Sequence, residues 1–372
     1  MKKGDKTVFF GPFVGEFGWE IISWQGWVKR LCRTRYAGYY KIACSFPGRY
    51  PFYPEVDEFW PLPPTFTKNP ISSRGYITDN WIKGFPKPSK NASELPEVMP
   101  LINEVIENFK KKLPKNTEFI VPWELRYDEE DQRYYGVYIP ENPTSNDEFR
   151  TYAIPLSNQI LEELNPTPDG MRLLNRMVEK EKKLISIFPR HRAFRRPDKT
   201  WGKMKYEILI GRLMREFPDL QLAILGEPGG AFFADEGVPE KCIDLINIDP
   251  KLRLDTQLAA LKRSVLAIGG LSGAILLALS ARCPALTWGI ASDWPGFKRG
   301  NYMKTGIIYY PSQNPSVEVI LKYVKWILRS GKMPVKEEFR RILITSFYEH
   351  LPHFMEKSKT LSSLKKAAGL NF

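Results

Sequence analysis

The chain has 372 residues, of which 43% are hydrophobic, and it carries a formal net charge of +13. This length is too great for one ordinary core and the hydrophobic content too high for general disorder, so we expect a folded protein of two domains. The positive charge favours anionic partners such as nucleotides, phosphosugars, nucleic acid or an acidic membrane surface, without choosing among them.

The N-terminal segment has the order of elements that is typical of a parallel α/β sheet. KTVFFGPF predicts a strand that ends at Gly11-Pro12, and residues 19–33 carry apolar side chains at helical spacing. KIACSF, residues 41–46, predicts the second strand. A strand, a glycine turn, a helix and a strand in succession indicate a βαβ unit.

The next part of the chain is rich in proline and aromatic residues. Residues 47–100 hold 11 of the 31 prolines, which predicts irregular, packed surface structure. A helix over 95–113 and a strand over 118–121 follow. The acidic cluster DEED, residues 128–131, could bind a metal, but its surroundings favour an exposed turn, so we expect no metal site.

From residue 182 onward, strands and helices alternate regularly. The predicted strands are 183–189, 220–226, 242–248, 265–270, 284–289 and 306–311, and the predicted helices are 205–217, 254–264, 272–283 and 316–331. This alternation predicts a doubly wound α/β domain. We divide the chain into domains at 1–175 and 176–330, followed by C-terminal helices over 331–372.

Cysteine usage and hydropathy bear on the cellular compartment. The four cysteines, at 32, 44, 242 and 283, are far apart, which argues against a zinc site or a disulfide scaffold. The longest apolar stretch, LAIGGLSGAILLAL, is too short and glycine-interrupted to span a bilayer. No signal peptide is recognisable, so we expect a soluble, cytoplasmic protein.

The first candidate site follows the strand at 183–189. The stretch from Arg190 to Lys205 contains seven Lys or Arg residues and one Asp. Ligands of open α/β sheets bind beyond the carboxyl ends of the strands, so this segment is well placed to bind an anion. Arg190 and Arg192 suit a diphosphate, and Lys199 and Lys203 add positive charge. The alternative interpretation is a solubilising loop.

The second candidate is the segment AIGGLSGAILLAL. Gly269 and Gly270 end a predicted strand, and Ser272 and Gly273 begin a helix whose first amides can bind a phosphate. The segment matches neither GxGxxG nor GxxxxGK[ST], and glycines also serve simple turns. A third, weaker candidate is Gly226-Glu227, at the end of the strand 220–226, which could meet a nucleotide base or ribose.

Residues 243–289, IDLINIDPKLRLDTQLAALKRSVLAIGGLSGAILLALSARCPALTWG, resemble the nucleotide-sugar domain of GT-B fold glycosyltransferases. The heptosyltransferase-like pattern is the most similar, with a glycine–serine–glycine helix start before a small-residue helix. FPRHRAFRRPDK also resembles the basic motif with which some fucosyltransferases hold a nucleoside diphosphate, although the spacing departs from it. The resemblance covers mainly residues 183–290 and is one of fold.

The resemblance implies two Rossmann-like α/β domains facing across a cleft, with the donor on the C-terminal domain and the acceptor on the N-terminal one. Glu16, in the turn GPFVGEFGWE, would then be the base that takes a proton from the acceptor hydroxyl. Glu20 is the second candidate, and Gly15, Gly18 and Trp19 would lie on the acceptor side. The alternative for Glu16 is capping of the helix that follows. Trp19, Trp24 and Trp27 could stack on a sugar or belong to the core.

We therefore expect a metal-independent glycosyltransferase, with no cofactor, that moves a sugar from a nucleotide-sugar donor to a hydroxyl acceptor. The alternatives are a nucleic-acid-associated protein, including a glycosyltransferase acting on a modified DNA base, and a GT-B-fold nucleotide-sugar epimerase. A steep salt dependence of DNA affinity would indicate the first. Conversion of a donor incubated alone would indicate the second. A GT-B relative without catalytic activity is a further alternative.

Overall fold

A computed structural model describes residues 6–64, 99–122, 126–128, 133–135, 154, 158–192 and 197–331. The chain divides into two compact units, Met1–Glu162 and Glu163–Phe372. Each unit contains one parallel β-sheet with helices between its strands, which confirms the predicted class of two Rossmann-like α/β units. Most of the proline-rich segment, most of the acidic cluster at 128–131 and the predicted helices after 331 lie outside the described residues.

The first unit is built on a four-stranded sheet. Its strands are β1 (Thr7–Phe10), β2 (Tyr40–Ser45), β3 (Glu58–Pro61) and β4 (Glu118–Ile120). They lie in the order β3-β2-β1-β4, and all neighbours are parallel. A separate antiparallel pair is formed by β5 (Arg126–Asp128) and β6 (Arg133–Tyr135). Since β1 is flanked on both sides, the loop that follows it leaves from the middle of the sheet.

The helix predicted over 19–33 has three parts. A short α1 (Phe17–Trp19) leads into a π-helical turn (Glu20–Trp24) and then α2 (Gln25–Arg33). Trp24 and Trp27 are buried, and the Trp24 ring stacks on Phe13 at 5.9 Å between centroids, so both are core residues. The helix α3 (Met99–Lys110) lies within the predicted range of 95–113.

The second unit is built on a six-stranded sheet. Its strands are β7 (Lys183–Phe188), β8 (Leu220–Ile224), β9 (Ile243–Asp244), β10 (Ser264–Gly270), β11 (Ala285–Trp288) and β12 (Ile307–Tyr310). They lie in the order β9-β8-β7-β10-β11-β12, all parallel. This is the strand order of dinucleotide-binding folds, and the direction of winding reverses between β7 and β10.

The helices of the second unit are α4 (Pro168–Met177), α5 (Lys203–Glu216), α6 (Pro250–Arg263), α7 (Gly273–Ser280), α8 (Trp294–Gly300) and α9 (Val317–Ser330). The core on one side of the sheet joins strand residues such as Ile187 and Ile268 to Leu209 and Leu213 of α5 and Val324 of α9. The predicted α/β alternation is thus confirmed element by element, with α4 and α8 in addition.

Two boundaries differ from the prediction for local reasons. The strand predicted over 242–248 ends at Asp244, because its carboxylate accepts the amides of Ile246 at 2.8 Å and Asn247 at 3.1 Å and turns the chain. The helix predicted from 254 begins at Pro250, where proline is favoured, and the Asp249 carboxylate caps the amide of Lys251 at 2.9 Å.

Because this helix begins at Pro250 rather than at residue 254, Asp255 lies in its middle and not near its start. Its buried carboxylate accepts the Thr167 amide at 2.7 Å, the Thr167 hydroxyl at 2.5 Å and the Gly170 amide at 3.0 Å. These donors lie at the N-terminus of α4, so a carboxylate from α6 caps another helix of the same unit.

Candidate functional site

The two segments predicted to bind an anion lie side by side in the second unit. β7 and β10 are neighbouring parallel strands, with Phe188 paired to Gly269. Their carboxyl ends are therefore at the same edge of the sheet, where the winding reverses. We call the residues that follow them, Pro189–Arg192, Pro197–Thr200 and Gly270–Gly273, the basic edge.

Arg190 is the first cation after β7 and is 93% buried, being 7% exposed. The backbone of Arg190 forms a bridge with Ala231, in the segment that follows β8. One of its guanidinium nitrogens donates to the Thr200 hydroxyl at 3.3 Å, and the Arg192 amide donates to the same hydroxyl at 3.4 Å. Thr200 thus ties the start and the end of the basic segment together.

Lys199 closes a short 3₁₀ turn (Pro197–Lys199) next to the end of β10. A Cβ built on Gly270 would lie 3.4 Å from the Lys199 carbonyl oxygen, so the backbones of Gly270 and Lys199 lie close together. The Lys199 ammonium forms an ion pair with Asp293 at 2.7 Å, in the segment that follows β11. The carboxyl ends of β7 and β11, the two strands that flank β10, therefore contribute opposite charges to one place.

The start of α7 places a polar side chain at the basic edge. Ser272 is the N-cap residue, and its hydroxyl oxygen, which is inaccessible to solvent, has no hydrogen-bond partner among the residues that the structure describes. Its carbonyl accepts the amides of Ile275 and Leu276. The earlier amides of a helix have no intrahelical acceptor and carry partial positive charge.

Two buried aromatic side chains, those of Trp288 and Tyr206, belong to the core next to this edge. Trp288, at the end of β11, is 1% exposed, and its indole nitrogen has no partner among the described residues. That nitrogen would lie 3.5 Å from a Cβ on Gly270. Burial raises the pKa of the Tyr206 hydroxyl, and the Tyr206 ring lies 6.3 Å from the Trp288 ring between centroids.

The predicted site residues Gly226 and Glu227 lie at the same edge, one strand further on, because β8 is the other neighbour of β7. Gly226 has a φ of +145°, which disfavours other residues, and a Cβ there would lie 2.7 Å from the Ala231 Cβ. Its carbonyl accepts the buried Gln257 amide at 2.7 Å. Glu227 is exposed.

Lys203 has a different environment. Its ammonium pairs with Glu236 and lies 3.7 Å from a carboxylate oxygen of Glu207, one turn along α5. These two carboxylates already neutralise the positive charge of the Lys203 ammonium, so the geometry does not favour the donor-binding role predicted for Lys203. Its role in binding stays a prediction.

Four residues that belong to the basic edge or adjoin it were not identified from the sequence. They are Thr200, Tyr206, Trp288 and Asp293. Asp293 follows the predicted strand 284–289, so the rule that ligands bind beyond strand carboxyl ends could have singled it out. Trp288 and Tyr206 carry no such signal, since aromatic residues in strands and helices are ordinarily core.

In the first unit, the loop after β1 is held against the end of β2. Gly11 has a φ of +119°, and a Cβ on it would lie 2.5 Å from the Cys44 carbonyl oxygen, so glycine is required there. The Phe13 amide donates to that oxygen at 2.8 Å. Gly15 and Gly18 do not have positive φ, so their backbone conformation does not itself require glycine.

Glu16 is half-buried at the N-cap position of α1, and its side chain makes no capping hydrogen bond. Its carbonyl accepts the amides of Trp19 at 3.0 Å and Glu20 at 3.2 Å. The simple capping role weighed for the Glu16 side chain is therefore absent, and Trp19 is half-buried beside it. The catalytic role stays a prediction.

Glu20 is fully buried, which does not fit the role of a base that meets an acceptor. One carboxylate oxygen accepts the hydroxyls of Ser45 and Tyr53, both at 2.5 Å, and the other pairs with Arg49. Both oxygens are thus engaged inside the unit. The catalytic role predicted for Glu20 is not supported by this geometry.

Neither a metal centre nor a membrane-spanning helix is found among the described residues. Within them, no cluster of three or more His, Cys, Asp or Glu side chains is arranged to hold a metal ion. None of the helices in the described ranges combines the length and the apolar character needed to cross a bilayer.

No protein-family model matches the chain, and no curated protein does. Solved structures similar to it include the E. coli ADP-heptose LPS heptosyltransferase II, at 16% identity over 88% of this chain and 99% of that one, with a TM-score of 0.48. A family 9 glycosyl transferase from Veillonella parvula is 13% identical over 95% and 98%, with a TM-score of 0.46. A UDP-N-acetylglucosamine 2-epimerase is 12% identical over 97% and 98%, with a TM-score of 0.38. These likenesses concern the fold alone.

Proposed function

We propose that the protein is a glycosyltransferase that binds the diphosphate of a nucleotide-sugar donor at the basic edge of its second unit and transfers the sugar to a hydroxyl acceptor. The observation that supports the proposal most is the pairing of β7 with β10, which brings the Lys199 backbone against Gly270 and puts Arg190 at the same edge of the sheet as the start of α7. Guanidinium, ammonium and helix N-terminal amides are the groups that hold phosphates in proteins.

The proposed transfer reaction requires that the negative charge developing on the leaving group be stabilised. When the acceptor oxygen bonds to the anomeric carbon, the bond from that carbon to the phosphate oxygen breaks and a nucleoside diphosphate leaves with the electron pair. Fixed positive groups at the basic edge stabilise this developing charge without reorganising. Glu16 is the proposed base that takes the proton of the acceptor hydroxyl. Side chains and amides supply the positive charge, so the proposal includes no metal.

The test is calorimetric titration with UDP, GDP, ADP and dTDP, and with CMP, which lacks the second phosphate. We expect at least one diphosphate to bind and Lys199→Met to weaken it about tenfold, as loss of a charge-assisted hydrogen bond does. The matched control is Lys182→Met, because Lys182 precedes the amino end of β7 and pairs with Glu179 on the surface. Equal losses in both variants, or no binding of any diphosphate, would overturn the donor site.

A second measurement separates transfer from isomerisation. A nucleotide sugar is chosen that contains the nucleoside diphosphate found to bind. It is incubated with the protein alone and then together with candidate hydroxyl acceptors, and the products are identified by mass spectrometry. A transferase yields a glycosylated acceptor and a free nucleoside diphosphate. Conversion of the donor alone into an isomer of the same mass, separable by chromatography, would instead make the protein an epimerase.

A further inference from the structure

A buried ion pair in the first unit lies directly behind the loop that carries Glu16. Glu20 and Arg49 are 0% and 4% exposed, and their side chains are in direct contact. The Arg49 guanidinium lies between two rings, 4.9 Å from the centroid of Phe17 and 4.4 Å from that of Phe46. The hydroxyls of Ser45 and Tyr53 complete the set of donors around Glu20.

Burying two charges in this way is costly. Desolvation of a carboxylate and a guanidinium can exceed their attraction, and apolar replacements of such pairs are often neutral or stabilising. A pair of this kind is thus poorly explained by stability alone. A role in fixing one backbone arrangement is the better-supported use of buried ionic groups.

The backbone that this pair fixes is the segment from Phe13 to Glu20. The Glu20 amide donates to the Glu16 carbonyl at 3.2 Å. Glu20, whose side chain is paired with Arg49, is therefore also hydrogen-bonded through its main chain to Glu16, the proposed base. At the other end, the Phe13 amide donates to the Cys44 carbonyl at 2.8 Å, and the Ser45 hydroxyl approaches the Phe13 carbonyl at 3.5 Å. Ser45 therefore contacts both ends of the segment.

The helix geometry agrees with this anchoring. Glu20 is the first residue of the π-helical turn Glu20–Trp24, in which four of five residues are buried. Such turns are rare and occur frequently at functional sites, because they redirect side chains that a regular α-helix would place elsewhere. Here the turn begins at the residue that joins the loop to the β2–β3 segment.

We propose that the Glu20–Arg49 pair is a positioning pair that holds the Phe13–Glu16 segment, and with it the carboxylate of Glu16, in the geometry needed for proton abstraction. The inference rests on the proposed function insofar as Glu16 is the base. Glu20 itself touches no substrate and acts through Glu16.

The kinetic test is a double-mutant cycle of Glu16→Gln and Glu20→Gln. We expect Glu20→Gln to lower kcat about tenfold or more with the donor KM nearly unchanged, because donor binding belongs to the other unit. In the Glu16→Gln background the same change should cost little, since there is no base left to position. Losses that multiply in the double variant would overturn the proposal.

A paired replacement separates positioning from folding. Glu20→Gln alone leaves Arg49 buried without its counter-charge, so a loss of kcat could reflect a damaged unit. Glu20→Gln combined with Arg49→Met removes both charges and should restore the melting temperature. If the recovered protein also regains full kcat, the pair serves only stability and the proposal is wrong; a kcat that stays low supports positioning.

A measurement without activity keeps this inference distinct from the proposed function. Amide hydrogen exchange of peptides covering residues 11–24 should be faster in Glu20→Gln than in the wild type. The control is Glu58→Gln, which removes an exposed carboxylate of the same unit that bonds to Tyr40 and Trp60. Unchanged exchange in Glu20→Gln would overturn positioning even if transfer occurs. Faster exchange without any transfer would retain positioning of the segment and reject only the transferase.

Discussion

Lys199 and Asp293 form an ion pair of 2.7 Å at the carboxyl edge of the second sheet, although they follow different strands of that sheet. Both side chains are mostly buried, at 17% and 23% exposed. The pair sits beside Gly270 and the start of α7, where the diphosphate is proposed to bind. An incoming phosphate would therefore compete with Asp293 for the Lys199 ammonium.

This competition gives the first prediction. Asp293→Asn should tighten diphosphate binding about fivefold to tenfold, because a nearby negative charge worth roughly 1 kcal/mol of repulsion is removed. Calorimetry at fixed ionic strength measures the change. The control is Asp219→Asn, an exposed carboxylate before the amino end of β8. Weaker binding by Asp293→Asn would contradict the competition and indicate that Asp293 orients Lys199 for the ligand.

The second prediction concerns Lys203, which the sequence places in the same basic stretch as Lys199. Its ammonium already pairs with Glu236 and Glu207 on the surface. Lys203→Met should therefore change the diphosphate dissociation constant by less than about twofold, as expected of an exposed ion pair. A tenfold loss would mean that Lys203 leaves these carboxylates to reach the ligand.

The contact between α4 and α6 gives a prediction about stability. A Cβ on Gly170 would lie 2.6 Å from the Asp255 carboxyl carbon and 2.7 Å from its backbone, which cannot move away freely. Gly170→Ala should lower the free energy of unfolding by about 1–3 kcal/mol through overpacking, in urea denaturation followed by circular dichroism.

Another helical glycine of the same unit provides a matched control. A Cβ on Gly211, in α5, would meet nothing within 4 Å. Gly211→Ala should therefore raise the free energy of unfolding by about 0.5–1 kcal/mol, since alanine loses less backbone entropy in a helix. If both variants are destabilised alike, close packing at Asp255 is not the cause.

The fourth prediction concerns acid stability of the first unit. Hydrogen bonds from Arg33 lower the pKa of Glu162 from 4.5 to about 2, with Lys29 adding to the effect. A lowered carboxyl pKa stabilises the folded state above the usual value near 4.5, and this contribution is lost as the pH falls towards about 2. Glu162 is about half exposed, so the effect should stay below about 1 kcal/mol.

The measurement compares the free energy of unfolding of the wild type and Glu162→Gln as a function of pH. The difference between the two should be largest near neutral pH and should shrink through the acid range. A difference that is independent of pH would show that the ion pair with Arg33 and Lys29 does not act through the charge of Glu162.

The sequence predicted the strands and helices of the second unit well because its strands are buried on both faces. Such strands are continuous apolar runs, for instance ISIF of β7, and they are easily distinguished from amphipathic helices. The edge strand β3 was missed, since its sequence EFWP is short, partly exposed and ends in proline. The pairing of β7 with β10 was not among the sequence predictions, although it agrees with the general topology of doubly wound folds.

The partners of the charged residues could not be predicted in the same way. Asp293 meets Lys199 only because β11 and β7 both flank β10, which a local pattern does not contain. Glu20 was expected to be accessible, as carboxylates usually are. Its partners Arg49 and Tyr53 belong to the proline-rich stretch after β2, whose path no periodicity defines.

The last prediction concerns metal dependence of the transfer reaction. In the proposed mechanism, Arg190, Lys199 and the first amides of α7 stabilise the negative charge that develops on the leaving diphosphate. Together they can neutralise a diphosphate without a divalent cation. Transfer should therefore proceed in EDTA at a rate within about twofold of that in magnesium, and Lys199→Met should lower both rates alike. A rate that collapses in EDTA and returns with magnesium would contradict this mechanism, because the cation, rather than the side chains, would then neutralise the leaving group.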